Sequence, residues 1–388
     1  MEKICIESIR IEKFKGIRES TIVIPKYAPW IFLTGENGTG KTVFLQAIAT
    51  ALFPIEHQIN DTKDDIGVGG FSIVSLYHST RYGMGIKPDG TIDLMFRRNF
   101  SFLSCFGPSR LQTLRESDQN ERVGPVSGIS RLFRAHTFLK NIDFQLIKWE
   151  LLKDSVQLND KEKIRAQNRL QFTKELLIEL LDLDDLKIDI SKDEVLYFEK
   201  GTDDSKLDGV RSNHLGAGYR NLLGFIGDMI LNLIGQQPLV EDPKELLGIV
   251  IVDELELHLH PSWQKALPGI LSKYFPRIQF IASTHSAIPL LGAPEGSVFL
   301  KVDRTAEEGI TIKRLEQLER DIKYLQPNAV FTSDIFDIDE IKSNQLEDIS
   351  KIRSEDHFDD IGINDEVKER LKNLGDDNIF PKDLFKKD

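Results

Sequence analysis

An eight-residue segment near the start of the chain constrains the fold more than any other feature. Residues 35–42 read GENGTGKT and match the pattern G-x-x-x-x-G-K-[ST]. Glycines let a backbone curl so that its N–H groups point at phosphate oxygens, beside a helix N-terminus that favours negative charge. An apolar run at 30–33 precedes the segment, and helical periodicity follows it over 42–52. The order strand, glycine-rich loop, helix predicts a nucleotide-phosphate site.

Two side chains of this loop have predicted roles of their own. Lys41 is expected to reach the β- and γ-phosphates, and the Thr42 hydroxyl is expected to ligate Mg²⁺. ATP is the expected nucleotide, because no N-K-x-D guanine-recognition motif follows the loop. The residues expected to contact the nucleotide are Gly35, Glu36, Asn37, Gly38, Thr39, Gly40, Lys41, Thr42 and Val43.

A second apolar run, residues 248–252, ends in the acidic pair Asp253 and Glu254. Asp253 is predicted to hold the magnesium ion, directly or through water. Glu254 is predicted to polarise the water that attacks the γ-phosphate, a general-base role that needs a carboxylate beside the metal. Two acids after a strand are common, so a capping or surface pair is the alternative; the phosphate loop favours the catalytic interpretation.

A third apolar run, residues 278–282, is followed by Ser283, Thr284 and His285. His285 is a candidate sensor of the γ-phosphate, and the alternative is a strand-end histidine without such a role. The residues directly after Glu254, LELHLH at 255–260, contain a His-x-His pair. If this stretch were a strand, Glu254, Glu256, His258 and His260 would share one face. A transition-metal site, structural packing, or a position near the nucleotide of a facing subunit are the alternatives for that pair.

Residues 214–220, HLGAGYR, read as a small-residue turn that opens a helix. The N–H groups of such a terminus can bind an anion. Because the chain already has one phosphate loop, a second anion-binding terminus suggests the γ-phosphate of another subunit's ATP.

The continuous apolar strands alternate with helices, which predicts an α/β fold with a mainly parallel sheet and ligands at the carboxyl ends of its strands. Residues 56–70 are polar and glycine-rich and are predicted to form an exposed loop. Residues 71–106 alternate as strands do, and predict an antiparallel β subdomain. Residues 129–182 are rich in helix formers without a sustained heptad, and predict a compact helical insertion.

Net charge, cysteine content and hydropathy argue against several classes of protein. A net charge of −12 argues against a surface that binds nucleic acid everywhere by counterion release. A local basic stripe that binds nucleic acid is still possible, and the alternative is a solvated face or internal ion pairs. The candidate residues are Arg97, Arg98, Arg110, Arg131, Arg134 and Lys140. Two cysteines are too few for a disulfide framework. The N-terminus lacks a signal-peptide pattern, and the longest apolar run, 222–234, is too short to span a bilayer. We expect a cytoplasmic protein with no membrane partner.

Taken together, these motifs resemble the ABC-type P-loop ATPase heads of the SMC/RecF/OLD group over most of residues 1–310. Five segments occur in that family's order: IESIRIEKFKGI, LTGENGTGKT, LGAGYRNLL, VDELELHLHP and IASTHSAIPL. The likeness is greatest to small bacterial ATPases of anti-phage defence operons, of the Septu and retron-linked kinds. Residues 105–110 resemble a segment between the two lobes of those proteins, and residues 331–336 resemble a tail motif.

The resemblance implies a head-to-tail homodimer in which a signature loop acts in trans on the partner's ATP. The signature residues are Leu215, Gly216, Ala217, Gly218 and Tyr219. Glu254 would be the catalytic base and His285 the switch histidine. Gly216 stands where many relatives have serine, which predicts slow turnover, and Leu255 replaces a usual proline. Gln112 is the candidate for the Q-loop.

The resemblance also gives the expected domain organisation. The expected parts are residues 1–115, a first ATPase lobe with the phosphate loop; residues 116–205, the helical insertion; residues 206–325, a second lobe with signature, Walker B pair and switch histidine; and residues 326–388, an acidic helical tail. Neither a TOPRIM nuclease domain nor an HNH-like cluster is expected, so any nuclease would be a separate protein.

The leading hypothesis is an ATP-binding and hydrolysing dimeric switch that controls a partner effector, expected to be a nuclease, in anti-phage defence. The dimer could assemble further into a higher oligomer. The first alternative is a DNA-repair or chromosome-maintenance ATPase that binds duplex DNA. The second is a nucleotide-stabilised scaffold that does not hydrolyse ATP.

Overall fold

The structure is a computed structural model of the chain. It describes residues 3–53, 66–77, 80–87, 92–93, 100–108, 132–133, 139–200 and 208–325. All of them belong to one compact unit, residues 1–338. The predicted acidic tail with its motif at 331–336, the Q-loop candidate Gln112, residues 109–110, and all of the arginines proposed for a basic stripe lie outside the described residues.

The described elements alternate between strands and helices along much of the chain. The strands are β1 (Ile6–Phe14), β2 (Ile17–Val23), β3 (Trp30–Thr34), β4 (Ile66–Leu76), β5 (Thr80–Ile86), β6 (Ile92–Asp93), β7 (Leu103–Phe106), β8 (Leu183–Asp189), β9 (Glu194–Glu199), β10 (Gly248–Val252), β11 (Ile278–Ser283), β12 (Val298–Thr305) and β13 (Gly309–Arg314). The helices are α1 (Lys41–Leu52), α2 (Ile142–Lys153), α3 (Asp160–Leu181), α4 (Ala217–Gln236), α5 (Pro261–Tyr274), α6 (Ile288–Leu291) and α7 (Glu316–Asp321).

A six-stranded sheet forms the centre, in the order β13-β12-β3-β11-β10-β7. All neighbours are parallel except the β12–β13 hairpin. Strands β3, β10 and β11 are buried along their whole length. Strands covered on both faces favour apolar residues at most positions, which is why these three appear as largely apolar runs. The predicted α/β class with a mainly parallel sheet is confirmed.

Alternate residues of the central strands belong to two separate cores. Trp30 and Phe32 of β3 pack with buried residues of α3, α4 and α5. Ile31 and Leu33 pack on the opposite face with α1, β1 and β4. This follows from the period of two in a strand, where successive side chains point to opposite faces. The sheet is therefore packed between two layers.

The second layer contains the predicted antiparallel sheet, in the order β2-β1-β4-β5-β6. Its strand β4 starts at Ile66, so the expectation of an exposed loop over 56–70 is wrong for its last five residues. Phe14 of β1 pairs with Ile66 and thereby draws these residues into the sheet. Pairing with an existing strand here outweighs the low strand preference of the glycine-rich sequence.

The described part of the predicted insertion contains α2, α3 and the β8–β9 hairpin. Asn159 and Glu162 form a capping box at the start of α3. Asp182 ends the helix in the left-handed region, with φ of 53°. The hairpin follows directly and was not predicted. The domain boundaries at 115, 205 and 325 stay predictions.

Lys140 is the one proposed basic-stripe residue that the structure describes. Its Nζ donates to Asn232 Oδ1 at 2.8 Å, and its backbone N–H donates to Asp228 Oδ1 at 2.8 Å. Lys140 thus has a structural role against α4. Among the described helices, none has the length and apolar character that crossing a membrane requires.

Candidate functional site

The predicted motifs meet at one edge of the central sheet. Strands β3, β11 and β10 are direct neighbours, and the phosphate loop, Thr284 with His285, and Asp253 follow their respective carboxyl ends. Carboxyl ends of neighbouring parallel strands lie together, and ligands bind in the crevice beyond them. Segments far apart in sequence are thereby brought to one place.

The phosphate loop requires glycine at two positions. Gly35 has φ of 140°, and a Cβ there would lie 2.3 Å from the backbone oxygen of Val302. Gly40 has φ of 109°, and its Cβ would lie 2.5 Å from Cδ1 of Ile310. Both conformations are in the left-handed region that side chains disfavour. The β12–β13 hairpin thus packs directly against the loop.

Lys41 is the first residue of α1, and its buried side chain reaches back to the phosphate loop. Its Nζ donates to the carbonyl oxygens of Gly35 at 2.7 Å and Glu36 at 2.6 Å, and lies 3.2 Å from Nδ1 of His285. Burial lowers the pKa of Lys41 from 10.5 to about 8, while nearby carboxylates, led by Asp253, act in the opposite direction. A cationic group is therefore placed where phosphate oxygens would lie.

The Asp253 carboxylate links two strand ends. Its Oδ2 accepts a 2.7 Å hydrogen bond from Thr42 Oγ1, and its Oδ1 accepts one from the Ser283 hydroxyl. Ser283 Oγ in turn accepts the backbone N–H of Glu254 at 2.8 Å. A hydroxyl and a carboxylate in contact are the hard oxygen ligands that Mg²⁺ prefers. The residues present therefore fit a magnesium ion held with the help of substrate phosphates.

Glu254 has a left-handed backbone, with φ of 52°. Such a conformation is strained for a residue with a side chain and is often found at functional sites. Its backbone N–H donates to Ser283 Oγ, so Glu254 is held at the edge of the sheet where Asp253 contacts Thr42. Its predicted role as general base stays a prediction.

Residues 255–258 form a turn and residues 259–260 belong to no regular element, so the conditional interpretation of this stretch as a strand is wrong. Leu257 N–H donates to Glu254 O, and Leu259 N–H to Glu256 O, each at 3.0 Å. Within the described residues, His, Cys, Asp and Glu form no group of three or more that could hold a metal ion. The ring Nδ1 of His260 instead accepts the backbone N–H of Ser262 at 3.3 Å and caps α5.

Sequence reasoning missed Glu256 as a contact of the site. Its Oε1 accepts a hydrogen bond from the backbone N–H of His285. The available signal was a third acid two residues beyond the Asp253–Glu254 pair, but its contact depends on a turn that no local pattern predicts.

The predicted signature residues start α4. Leu215 is buried, whereas Gly216 and Ala217 are exposed. Tyr219 packs edge-on against Trp263 with ring centroids 4.6 Å apart. Gly216 caps the helix without a side-chain hydrogen bond, and leaves the N-terminus of α4 open to solvent. Its role in trans stays a prediction.

The segment before the signature is anchored to the insertion. Ser212 Oγ donates to Asp143 Oδ2 at 2.5 Å, and the fully buried Tyr197 hydroxyl donates to Asp143 Oδ1. Val210 and Tyr197 also exchange two backbone hydrogen bonds, of 2.8 and 2.9 Å. The position of α4 at its start is therefore fixed by α2 and β9.

Comparison with known proteins gives a family. The family described as AAA domain, putative AbiEii toxin, Type IV TA system matches residues 31–291. The chain belongs to this family. The match runs from the strand before the phosphate loop to the helix after His285, and so includes every predicted site residue described above.

Curated relatives support the resemblance to defence ATPases. The Septu protein PtuA of Bacillus mycoides (strain KBAB4) is 27% identical over 385 residues, which cover 96% of this chain and 50% of the relative. The Retron Vc95 probable ATPase of Vibrio cholerae is 34% identical over 116 residues, or 30% of this chain and 20% of the relative. The Retron Ec83 probable ATPase of Escherichia coli is 31% identical over 161 residues, or 38% and 30%. This chain spans about half the length of the PtuA relative.

Solved structures similar to this chain include SMC and RecF proteins. The SMC head domain from Thermotoga maritima is 13% identical with a TM-score of 0.46, covering 80% of this chain and 98% of that one. The recombination mediator RecF with ATP is 11% identical with a TM-score of 0.45, covering 81% and 99%. The Septu and retron relatives confirm the predicted likeness to defence ATPases.

Proposed function

We propose that this member of the family is a magnesium-dependent ATPase whose two copies sandwich ATP, and that its nucleotide state controls a separate effector in anti-phage defence. The observation that carries the proposal is the contact between Thr42 and Asp253, since it joins the phosphate loop to the acidic strand end. The names of the Septu and retron relatives support the defence role.

The chain's own residues supply the steps of hydrolysis. The backbone of the glycine loop binds the phosphates, and Lys41 exchanges its carbonyl partners for β- and γ-phosphate oxygens. Thr42 and Asp253 would hold a magnesium ion, which would supply positive charge to offset that of the phosphates. Glu254 accepts a proton from water as the water oxygen attacks the γ-phosphorus and the bond to the ADP oxygen breaks. His285 contacts the γ-phosphate.

The exposed start of α4 is the proposed contribution of each copy to the other's site. Unsatisfied N–H groups and the helix dipole favour a phosphate at such a terminus. Gly216 offers no hydroxyl there, so we expect slow turnover. Closure by ATP and opening after hydrolysis would give the effector, expected to be a nuclease, two states to distinguish. The cytoplasm is the proposed location.

Sedimentation of the wild-type chain with and without Mg²⁺ and ATP tests this proposal, with phosphate release measured in parallel. We expect ATP to drive dimer formation, Glu254→Gln to trap the dimer, and Lys41→Ala to abolish the effect. Assembly that ignores nucleotide, without phosphate release, would favour the non-hydrolysing scaffold. Salt-sensitive, ATP-dependent binding of duplex DNA would favour the DNA-maintenance alternative.

A further inference from the structure

The turn after the acidic pair carries a third carboxylate whose role the proposed function leaves open. Leu255 N–H donates to Ser283 O at 2.9 Å, so the turn is fixed against the end of β11. This brings the Glu256 side chain next to the backbone of His285, although the two residues are 29 positions apart in sequence.

The two oxygens of Glu256 differ in their surroundings. Oε1 accepts the backbone N–H of His285, a charge-assisted bond of the stronger kind. Oε2 is buried and has no hydrogen-bond partner within the described part of the chain. Leaving a buried polar atom without a partner is unfavourable, so such an arrangement calls for a physical explanation.

The position of Glu256 is also unfavourable for binding a polyanion. Its Oε1 accepts the N–H of His285, whose ring Nδ1 lies 3.2 Å from Lys41 Nζ, so the carboxylate lies near the point where the phosphates would bind. Like charges at short range repel each other, most strongly away from bulk water. A carboxylate at this point therefore needs a contribution that offsets the repulsion, and the bond to His285 is the contact that supplies one.

We propose that Glu256 is a positioning residue, which fixes the backbone at His285 so that the imidazole Nδ1 stays opposite Lys41 Nζ and against the γ-phosphate. The 3.2 Å distance between these two nitrogens is the arrangement that it maintains. This inference rests on the proposed function and deepens it. It assigns to Glu256 a hydrogen-bond acceptor role, distinct from the proton-accepting role of Glu254.

Two substitutions separate acceptance of a hydrogen bond from acceptance of a proton. Glu256→Gln keeps an oxygen for the His285 N–H and removes the charge, whereas Glu256→Ala removes both. We expect Glu256→Ala to lower kcat about 10- to 100-fold with KM changed less than about threefold, because small displacements of a contact group are costly in the transition state. Glu256→Gln should keep most of kcat. Glu295→Ala, at an exposed glutamate, is the matched control.

Hydrogen exchange of the free protein gives a readout that needs no activity. Exchange at the His285 amide, followed in peptides over residues 283–287, should quicken in Glu256→Ala and stay near wild type in Glu256→Gln. Equal loss of kcat in both variants would overturn the proposal in favour of a role for the charge. Wild-type exchange and kcat in Glu256→Ala would overturn it as well. A wild-type chain without hydrolysis would contradict the proposed function, while the exchange experiment would still test the positioning.

Discussion

Nζ of Lys41 and Nδ1 of His285 lie 3.2 Å apart, which brings together the phosphate loop and the end of β11. Because burial lowers the pKa of Lys41 to about 8, we expect ATP affinity to weaken above that pH, by up to about tenfold per unit. Bound phosphate stabilises the ammonium form, so binding at higher pH must take up a proton. Titration calorimetry from pH 7 to 9.5, in buffers of different ionisation enthalpy, measures both effects. Lys41→Ala should lack this dependence, and a wild-type affinity that is flat across the range would contradict the prediction.

The lowered pKa of Lys41 also makes the free energy of unfolding depend on pH in a known direction. The pKa of Lys41 is about 8 in the folded chain, compared with 10.5 when the side chain is fully solvated in the unfolded chain. Between these values the unfolded chain binds more protons, so the contribution of Lys41 to the free energy of unfolding grows as pH rises through that window.

Removal of the Thr42 hydroxyl should uncouple magnesium from nucleotide binding. The hydroxyl contacts the Asp253 carboxylate at 2.7 Å, and Thr42→Ala leaves that carboxylate without this partner. We expect Thr42→Ala to lose most of the affinity that Mg²⁺ adds to ATP, about 10-fold or more, and Thr42→Ser to retain it. Fluorescent-nucleotide titrations with Mg²⁺ and with EDTA measure the difference. An equal magnesium effect in both variants would be inconsistent with this site.

A serine at position 216 should increase activity. A Cβ on Gly216 would approach no described atom more closely than Tyr219 Cδ2, at 3.6 Å, so Gly216→Ser should fold normally. The added hydroxyl would reach a phosphate bound at the start of α4. We expect phosphate release to rise about 3- to 10-fold, which corresponds to one modest hydrogen bond. Gly216→Ala is the matched control, and equal rates in the two variants would argue against contact with phosphate at this position.

The Ser212–Asp143 contact should matter for assembly more than for nucleotide binding by one chain. Ser212→Ala removes an anchor just before the signature segment, so we expect the dissociation constant of the ATP-driven dimer to rise about 3- to 10-fold. ATP affinity of the monomer should stay unchanged. Ser191→Ala, which removes an exposed hydroxyl bonded to Asp189, is the control. Sedimentation equilibrium measures the dimer, and an unchanged dimer constant would show that the anchor is dispensable.

Local patterns predicted the phosphate loop, the central strands and their class of sheet, because each depends on neighbouring residues. The bond between Glu256 and His285 was not predictable in the same way, since it depends on which strands become neighbours and on a turn with a left-handed residue. The start of β4 at Ile66 was decided by its pairing partner β1. The β8–β9 hairpin beside Asp143 was not predicted, because apolar and polar residues alternate only weakly in β8.

The central position of β3 has a consequence for synthesis of the chain. Its two neighbours, β11 and β12, are made long after it, and Thr42 is separated from its partner Asp253 by 211 positions. During translation, the apolar strand Trp30–Thr34 is made before either of its neighbouring strands, so neither of its edges can form the native pairing. Unpaired apolar strands favour aggregation. A nascent chain that carries the complete GENGTGKT segment cannot yet form the described nucleotide site. We therefore expect a chaperone that binds the nascent strand to reduce aggregation of this protein until β11 and β12 have emerged from the ribosome.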